Sequence, residues 1–440
     1  MKIGCYQTYK SSEIEWFGNM PKHWLSVRIK DVIKDINQGW SPNAENRTVE
    51  EGEWGVLKLS AVSNGKYSEK DHKALSGSTG LKHQYVVKKG DLLLTRSNTP
   101  ELVGNCCLVI VQPKLILMYS DLIYCLNIKS QKILDRYLNY FLSSAFFRRI
   151  KTVSARGLNA SMVKISQSII RRWDVFKPPY IEQTAIADYL DTKTAQIDRK
   201  IGLLSQKRIK YGNLKQSLIK ETVVRGLDNT VPMKDSGVDW IGEVPAHWEV
   251  RRLKGLIYFK KGKTPKSLSD DSRFPPYLSM DFLRGKDRQV IYVAPQEKLV
   301  MVVDNEPLIL WDGANAGEVM LAKNGYLSST MAVIKTKKKS FDNAFFFHFL
   351  KSLEKQFKDL SNGTTIPHFS PNVLTVGSFG IPPLQEQATI ANYLNDKTLH
   401  IDRIIININT QIDRIKELRK TLINDVVTGK IKVVKEGQAA

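Results

Sequence analysis

An α+β fold is predicted by three features of the sequence: two mixed α/β globes, separated by an antiparallel two-helix coiled coil and related by a pseudo-two-fold internal repeat. Two anchor segments recur without gaps. Each copy ends in a long heptad-patterned stretch. The link between the copies is too short for any helix pairing but an antiparallel one. The 440 residues exceed one ordinary domain. Apolar residues at 42% are ample for real cores.

The repeat comes first. EWFGNMPKHWLSVRIKDVI (15–33) matches DWIGEVPAHWEVRRLKGLI (239–257) at 8 of 19 positions, including Trp16/Trp240, Gly18/Gly242, Pro21/Pro245, His23/His247 and Trp24/Trp248. PPYIEQTAIADYLDTKTAQIDRKI (178–201) matches PPLQEQATIANYLNDKTLHIDRII (382–405) at 14 of 24. Upstream, Lys10 and Ser12 pair with Lys234 and Ser236. Between the anchors only echoes remain, GWSP (39–42) with GKTP (262–265) and LSAVSNGK (59–66) with LSMDFLRGK (278–286). Each copy is thus a constant frame around a divergent middle. The middles carry β-prone runs at Tyr85–Val87, Asp91–Thr95 and Leu308–Trp311 between Gly, Asn and Pro turns, and apolar stretches at Tyr137–Phe147 and Ala344–Leu353 that suggest short helices. The divisions that follow are 1–177, a first globe; 178–226, a central spacer helix; 227–380, linker and second globe; and 381–440, a C-terminal spacer helix and tail.

The helical segments alternate apolar spacings of four and three. The first seam runs through Leu190, Ile197, Ile201, Leu204, Tyr211 and Leu218, with polar interruptions. The second runs through Leu394, Ile401, Ile405, Ile408, Ile412, Ile415 and Leu422. Paired prolines open each segment and Gly226 and Gly429 close them. Glu182 and Glu386 complement the helix dipole in the first turn. A helix of about 40 residues spans roughly 60 Å. The link from Gly226 to Asp239 reaches at most about 45 Å when stretched, so a parallel pair cannot form within the chain. An antiparallel pair needs no return, and it places the C-terminus near the N-terminus. The competing arrangement is a coiled coil between chains, because heptads alone do not select the partner.

The formal net charge is +22. Lys plus Arg less Asp plus Glu gives 25 − 14 for residues 15–177 and 20 − 15 for 239–380, against only 9 − 5 for 178–226 and 7 − 6 for 381–430. The excess sits in the globes, which points to a polyanionic partner, most simply nucleic acid. The apolar run Leu108 to Met118 is interrupted by Gln112, Pro113 and Lys114, so no membrane span is expected. Four cysteines without a C-x-x-C pair fit a reducing cytoplasm and no metal site.

The duplicated Pro-Pro-x-x-Glu-Gln before a heptad helix, the PKHW and PAHW segments and GTTIPHFS (363–370) resemble the specificity (S) subunits of type I restriction-modification enzymes, over nearly the whole chain. The first copy departs, with RGLNASMVKIS (156–166) where the second has NGTTIPHFS, so a role for Thr364, Thr365 or His368 does not carry over to the first globe. The resemblance implies an adaptor without catalysis. Each globe would read half of a bipartite, asymmetric DNA target. The helices would set the gap and dock two methyltransferase (M) subunits, with motor/nuclease (R) subunits joining for cleavage. This chain would bind no cofactor, and S-adenosylmethionine, ATP and Mg would sit on the partner subunits. The alternative is a coiled-coil DNA-binding scaffold or regulator outside restriction-modification.

Two motifs invite enzymatic readings. Amino-methyltransferases place Asn or Asp before Pro-Pro-aromatic, because a carbonyl must accept from the substrate amine. Lys177 before Pro178-Pro179-Tyr180 can only donate, and Ile381-Pro382-Pro383-Leu384 loses both parts. His23-Trp24 and His247-Trp248 suggest a metal or catalytic pair, yet they sit in different copies with no carboxylate or cysteine constellation around them, so packed aromatics with hydrogen-bonded imidazoles are expected. Candidate DNA contacts come from loops and strand ends of the divergent middles, because Arg and Lys suit guanine and Asn and Gln suit adenine. They are Gln38, Ser41, Lys58, Asn64, Lys66, Arg96 and Asn98 in the first globe, and Lys263, Thr264, Ser279, Arg284, Lys286, Asn315 and His368 in the second.

Overall fold

The computed structural model describes residues 2–12, 18–63, 65–76, 82–159, 162–238, 241–286, 289–295, 298–337, 340–361 and 367–434. The chain divides into two compact units, one of Met1–Leu203 with Gln411–Ala440 and one of Leu204–Thr410. The long helices, Tyr180–Arg225 and Leu384–Val427, each contribute to both.

In the first unit a four-stranded antiparallel sheet runs Ile33–Gln38, Ile123–Ile128, Leu92–Thr95, Cys106–Leu108. Leu92–Thr95 is buried along its whole length, which is why the segment reads as a continuous apolar run rather than an alternating one. A second sheet orders Ile116–Met118, Trp54–Leu57, His72–Leu75 and Ala44–Glu45, its first pair parallel. The second unit repeats this plan. Its antiparallel sheet runs Ile257–Lys261, Met331–Thr336, Pro307–Leu310, Val319–Leu321. Its smaller sheet orders Tyr277–Leu278, Gly325–Leu327, Met301–Val302, again with a parallel first pair. The middles have diverged in sequence while keeping one topology in the antiparallel sheet, whereas the smaller sheet has four strands in the first unit and three in the second.

Two local expectations change. The run Tyr137–Phe147 is two helices, Asp135–Ser143 and Ala145–Ser154, broken at Ser144. Ser144 is extended, and its hydroxyl accepts from the Phe147 amide at 3.2 Å, capping the second helix. The segment Tyr85–Val87 is no strand. His83–Tyr85 forms a 3₁₀ turn and Val86 makes a single bridge to Met118. Three residues are too few for alternation to separate a strand from a turn.

Within each unit the long helices run antiparallel. In the first, Ile423, Val426 and Val427 from the end of the second helix share a core with Ile186 and Leu190 from the start of the first. Further along, Asp198 faces Arg419 at 3.6 Å. In the second unit Ile219 and Val223 share a core with Ile390 and Leu394, and Lys215 meets Asp402 at 2.6 Å. Asp198 and Asp402 hold equivalent repeat positions, as do Lys215 and Arg419, so the repeat places the same ion pair in each unit with the helices exchanged. Along the seam Leu190, Leu394, Ile401, Ile408 and Ile412 are buried. Ile197, Ile201, Leu204, Tyr211, Leu218, Ile405, Ile415 and Leu422 are partly covered. The chain ends meet in the first unit, where Lys2–Gly4 pairs antiparallel with Lys432–Val434.

The repeated anchors form one lock in each unit. The Glu182 carboxylate accepts from Trp24 Nε1 at 3.2 Å, meets His23 Nε2 at 2.9 Å and takes the Tyr6 hydroxyl. Glu386 does the same with Trp248 Nε1 at 3.1 Å and His247 Nε2 at 2.8 Å. The His-Trp pairs therefore do have a carboxylate, supplied by the other anchor, and both tryptophans are fully buried. The neighbouring glutamine completes the lock. Gln183 donates to the Pro178 carbonyl at 2.8 Å and accepts from the Leu134 amide at 2.7 Å. Gln387 donates to Pro382 at 2.9 Å and accepts from Asp342 at 2.8 Å. Leu134 and Asp342 are the N-cap residues of the helices Asp135–Ser143 and Asn343–Asp359, so each glutamine fastens a helix of the divergent middle to the frame. The helix-closing glycines finish it. Gly429, at φ 75°, lies so close to Trp24 and Pro21 that a Cβ would meet Pro21 Cδ at 2.5 Å, and Gly226 abuts Trp248 likewise.

Lys151 is wholly buried in the first unit, its ammonium donating to the Leu142 carbonyl at 2.7 Å. Desolvation pushes its pKa down to about 8 from 10.5. The folded state therefore binds fewer protons than the unfolded one between those values, so this group's contribution to stability rises with pH there. Relative to Lys151→Met, the wild type should gain roughly 2–3 kcal/mol between pH 7 and pH 10.5. Urea unfolding of both proteins across that range checks this, and a constant difference would refute it.

Candidate nucleic-acid interface

At one end of each antiparallel sheet three chain segments converge. In the first unit the strand ending at Gln38 turns at Gly39, whose amide donates to the Ile123 carbonyl at 3.1 Å. The Arg96 amide donates to Leu122 at 2.7 Å, and the Arg96 carbonyl accepts from Ile165 at 2.9 Å. In the second unit the strand ending at Lys261 turns at Gly262, whose amide donates to Met331 at 2.9 Å. The Trp311 amide donates to Thr330 at 2.8 Å, and its carbonyl accepts from Phe369 at 2.8 Å. The two glycines allow these turns to press on the neighbouring backbone. A Cβ on either would lie 2.1 Å from a carbonyl oxygen, that of Tyr119 or of Ser328.

The matched hydrogen bonds make Gln38 equivalent to Lys261, Arg96 to Trp311, Ser97 to Asp312 and Lys164 to His368. Backbone geometry is shared while side chains differ throughout. In the first unit Arg96 lies over the Tyr124 ring at 5.9 Å, and Lys164 is exposed. In the second, Asp312 accepts from Lys261 Nζ at 2.7 Å and from His368 Nδ1 at 2.6 Å. Burial alone would raise the Asp312 carboxyl, but the hydrogen bonds from Lys261 and His368 outweigh it and hold the group below its usual range. Beneath lie stacked aromatics. Phe369 is buried against Trp311 and Phe357, each at 5.3 Å, and Phe259 at 6.0 Å.

These junctions repeat a fold seen in known proteins. The family model for the type I restriction modification DNA specificity domain matches residues 21–207 and 245–417. The chain belongs to this family. A type I restriction enzyme MjaVIII specificity subunit from Methanocaldococcus jannaschii is 37% identical over 188 residues, a match spanning 42% of this chain and 43% of that protein. A putative type I restriction enzyme MjaX specificity subunit from the same organism is 26% identical over 439 residues, spanning 97% of both chains. Among solved structures, a chain from work on complex assembly and conformational transition of the type I R-M system superposes with a TM-score of 0.69 at 17% identity, covering 93% of this chain and 99% of that one.

Within this family's frame the candidate residues fall into two sets. Gln38, Ser41 and Arg96 gather at the first junction, where Ser41 bonds to Asp121 in the adjacent loop. Asn98 lies one residue beyond Ser97 and accepts from the Thr99 amide at 2.9 Å. Lys263, Thr264 and His368 gather at the second, where Thr264 Oγ1 donates to Ser329 at 3.1 Å. Asn315 is exposed in the turn that follows Asp312. Elsewhere, Lys66 pairs with Asp198 of the first long helix at 2.5 Å. Lys58 donates through its amide to the Asp71 carbonyl. Ser279 caps the short helix Met280–Leu283, Arg284 pairs with Glu318, and Lys286 is exposed beyond that helix. Asn64, Thr364 and Thr365 lie outside the described residues. Sequence reading missed Lys164, Lys261 and Asp312. Setting VKIS (163–166) against PHFS (367–370) would have placed Lys164 opposite His368, but the short match gave no reason to prefer that register.

Among the described residues no cluster of His, Cys, Asp or Glu is arranged to hold a metal ion, and no helix is long and apolar enough to cross a membrane.

Proposed function

We propose that this chain is the non-catalytic, sequence-specific DNA-binding subunit of a type I restriction-modification complex in the cytoplasm, reading a bipartite, asymmetric target. The observation that carries this reading is the junction itself, one backbone arrangement made twice with different polar side chains. Two readers of one design and unlike chemistry suit two unlike half-sites. Lysines and arginines supply affinity through phosphates, and the junction side chains select bases. The anchors, constant between copies, suit two equivalent methyltransferase (M) subunits, with motor/nuclease (R) subunits joining for cleavage. S-adenosylmethionine, ATP and Mg belong to those partners.

Selection from a random duplex library, by the chain purified with its methyltransferase, tests this reading. Enrichment of two unlike blocks at a fixed separation is expected, and enrichment of a single block contradicts it. A second result is expected from the helices. Adding one turn to each heptad segment should lengthen the gap and leave the blocks unchanged. Sequencing the selected duplexes checks this, and an unaltered gap would remove the spacer role.

A further inference from the structure

The polar cluster at the second junction is not required by the fold. The first unit builds the same turn, strand ends and cross-bridge with Gln38, Ser97 and Lys164 in place of Lys261, Asp312 and His368. Ser97 there is buried, its hydroxyl donating to the Val163 carbonyl at 3.2 Å. In the second unit an ionised carboxylate orients two partners that reach outward. The Lys261 and His368 side chains are 45% and 58% exposed, while Asp312 is 22% exposed. A carboxylate can only accept, so Nδ1 of His368 carries the proton and Nε2 is the atom available to a ligand. Lys261 sits 5.8 Å from the Trp311 ring, which itself packs on Phe259 and Phe369, and His368 is held by its bridge to Asp312. This is how a recognition group is kept in place before its ligand arrives.

Resting on the DNA-reading function proposed above, we propose that Lys261 and His368 read the major-groove edge of one purine in the second unit's half-site, with Asp312 as the positioning residue. A purine edge offers N7 as an acceptor and a polar group at C6, whereas a pyrimidine has no acceptor at the N7 position. The Lys261 ammonium donates to N7, and His368 Nε2 meets the C6 substituent. Asp312 touches neither. It removes the freedom of two side chains that would otherwise have to be ordered on binding.

The test uses the full chain, assembled with its methyltransferase, and duplexes in which each purine of the target is replaced in turn by its 7-deaza analogue. One position in the second unit's half-site should weaken binding about tenfold or more on losing N7. The same replacement should leave the affinity of Lys261→Met unchanged, since methionine has no donor to offer N7. Asp312→Asn should weaken discrimination at that position alone and leave the other half-site untouched. The proposal is overturned if no 7-deaza position matters, if the loss persists in Lys261→Met, or if the variants lose affinity equally for all sequences with a shallower salt dependence, which marks phosphate contacts. Absence of any sequence preference in the wild-type complex would instead overturn the DNA-reading function itself.

Discussion

Replacing Trp24 with alanine is expected to cost the first unit about 4 kcal/mol of stability. The side chain is fully buried, touches Tyr6 and Phe176, and lies under Gly429, which closes the second long helix. Removing it opens a cavity where the N-terminal segment and both long helices meet. Trp248→Ala should act alike in the second unit, where Glu386 and Gly226 replace Glu182 and Gly429. Glu182→Ala keeps the ring but strips its acceptor, together with that of the Tyr6 hydroxyl, and should cost about 2–3 kcal/mol. Urea unfolding with separate probes in the two units measures all three. A loss below about 1 kcal/mol for Trp24→Ala would mean that the anchors are no lock. The lock also explains why its members recur in both copies, His23, Trp24, Glu182 and Gln183 as His247, Trp248, Glu386 and Gln387. Each of these side chains answers another anchor residue or a helix cap, so a lone change leaves a buried group without its partner.

Exchanging residues 34–165 for the equivalent segment of another family member should replace one half-site completely and retain the other. Affinity for the original target should fall by about a thousandfold or more, the usual interval between specific and non-specific binding. The joints permit this. Both cut points lie outside the pairing of Leu25–Arg28 with Asp174–Lys177 and outside the lock of Trp24 and Glu182. The new segment must offer a helix N-terminus to Gln183, as Leu134 does, and a polar partner to Asp191, as Tyr140 does at 2.7 Å. The second unit meets the same demands with Asp342 on Gln387 and His348 on Asn395. Unlike side chains therefore serve this joint. Changes in both half-sites after the exchange would show that the readers are not independent.

The frame was legible because its signals are dense and local. Paired prolines, heptads and closing glycines follow from helix geometry, and the aspartates of the ion pairs of Asp198 with Arg419 and Asp402 with Lys215 lie where the repeat is strongest. The readers were less so. Their three segments are far apart in the chain, and Lys164, Ser97 and Gln38 become neighbours only through the sheet. Gly39 and Gly262 were visible as an echo, but their purpose, close backbone approach, belongs to tertiary structure. Lys66 shows the converse. It lies in an aligned loop and suits a phosphate, yet its partner is Asp198, a residue of the first long helix.

The central claim is that one chain carries two independent readers of unlike half-sites. Mapping methylated adenines across DNA modified by the chain with its methyltransferase tests it most directly. The account predicts an interrupted motif with two different specific blocks around a gap of constant length. A continuous motif, or a palindrome with identical halves, would contradict it.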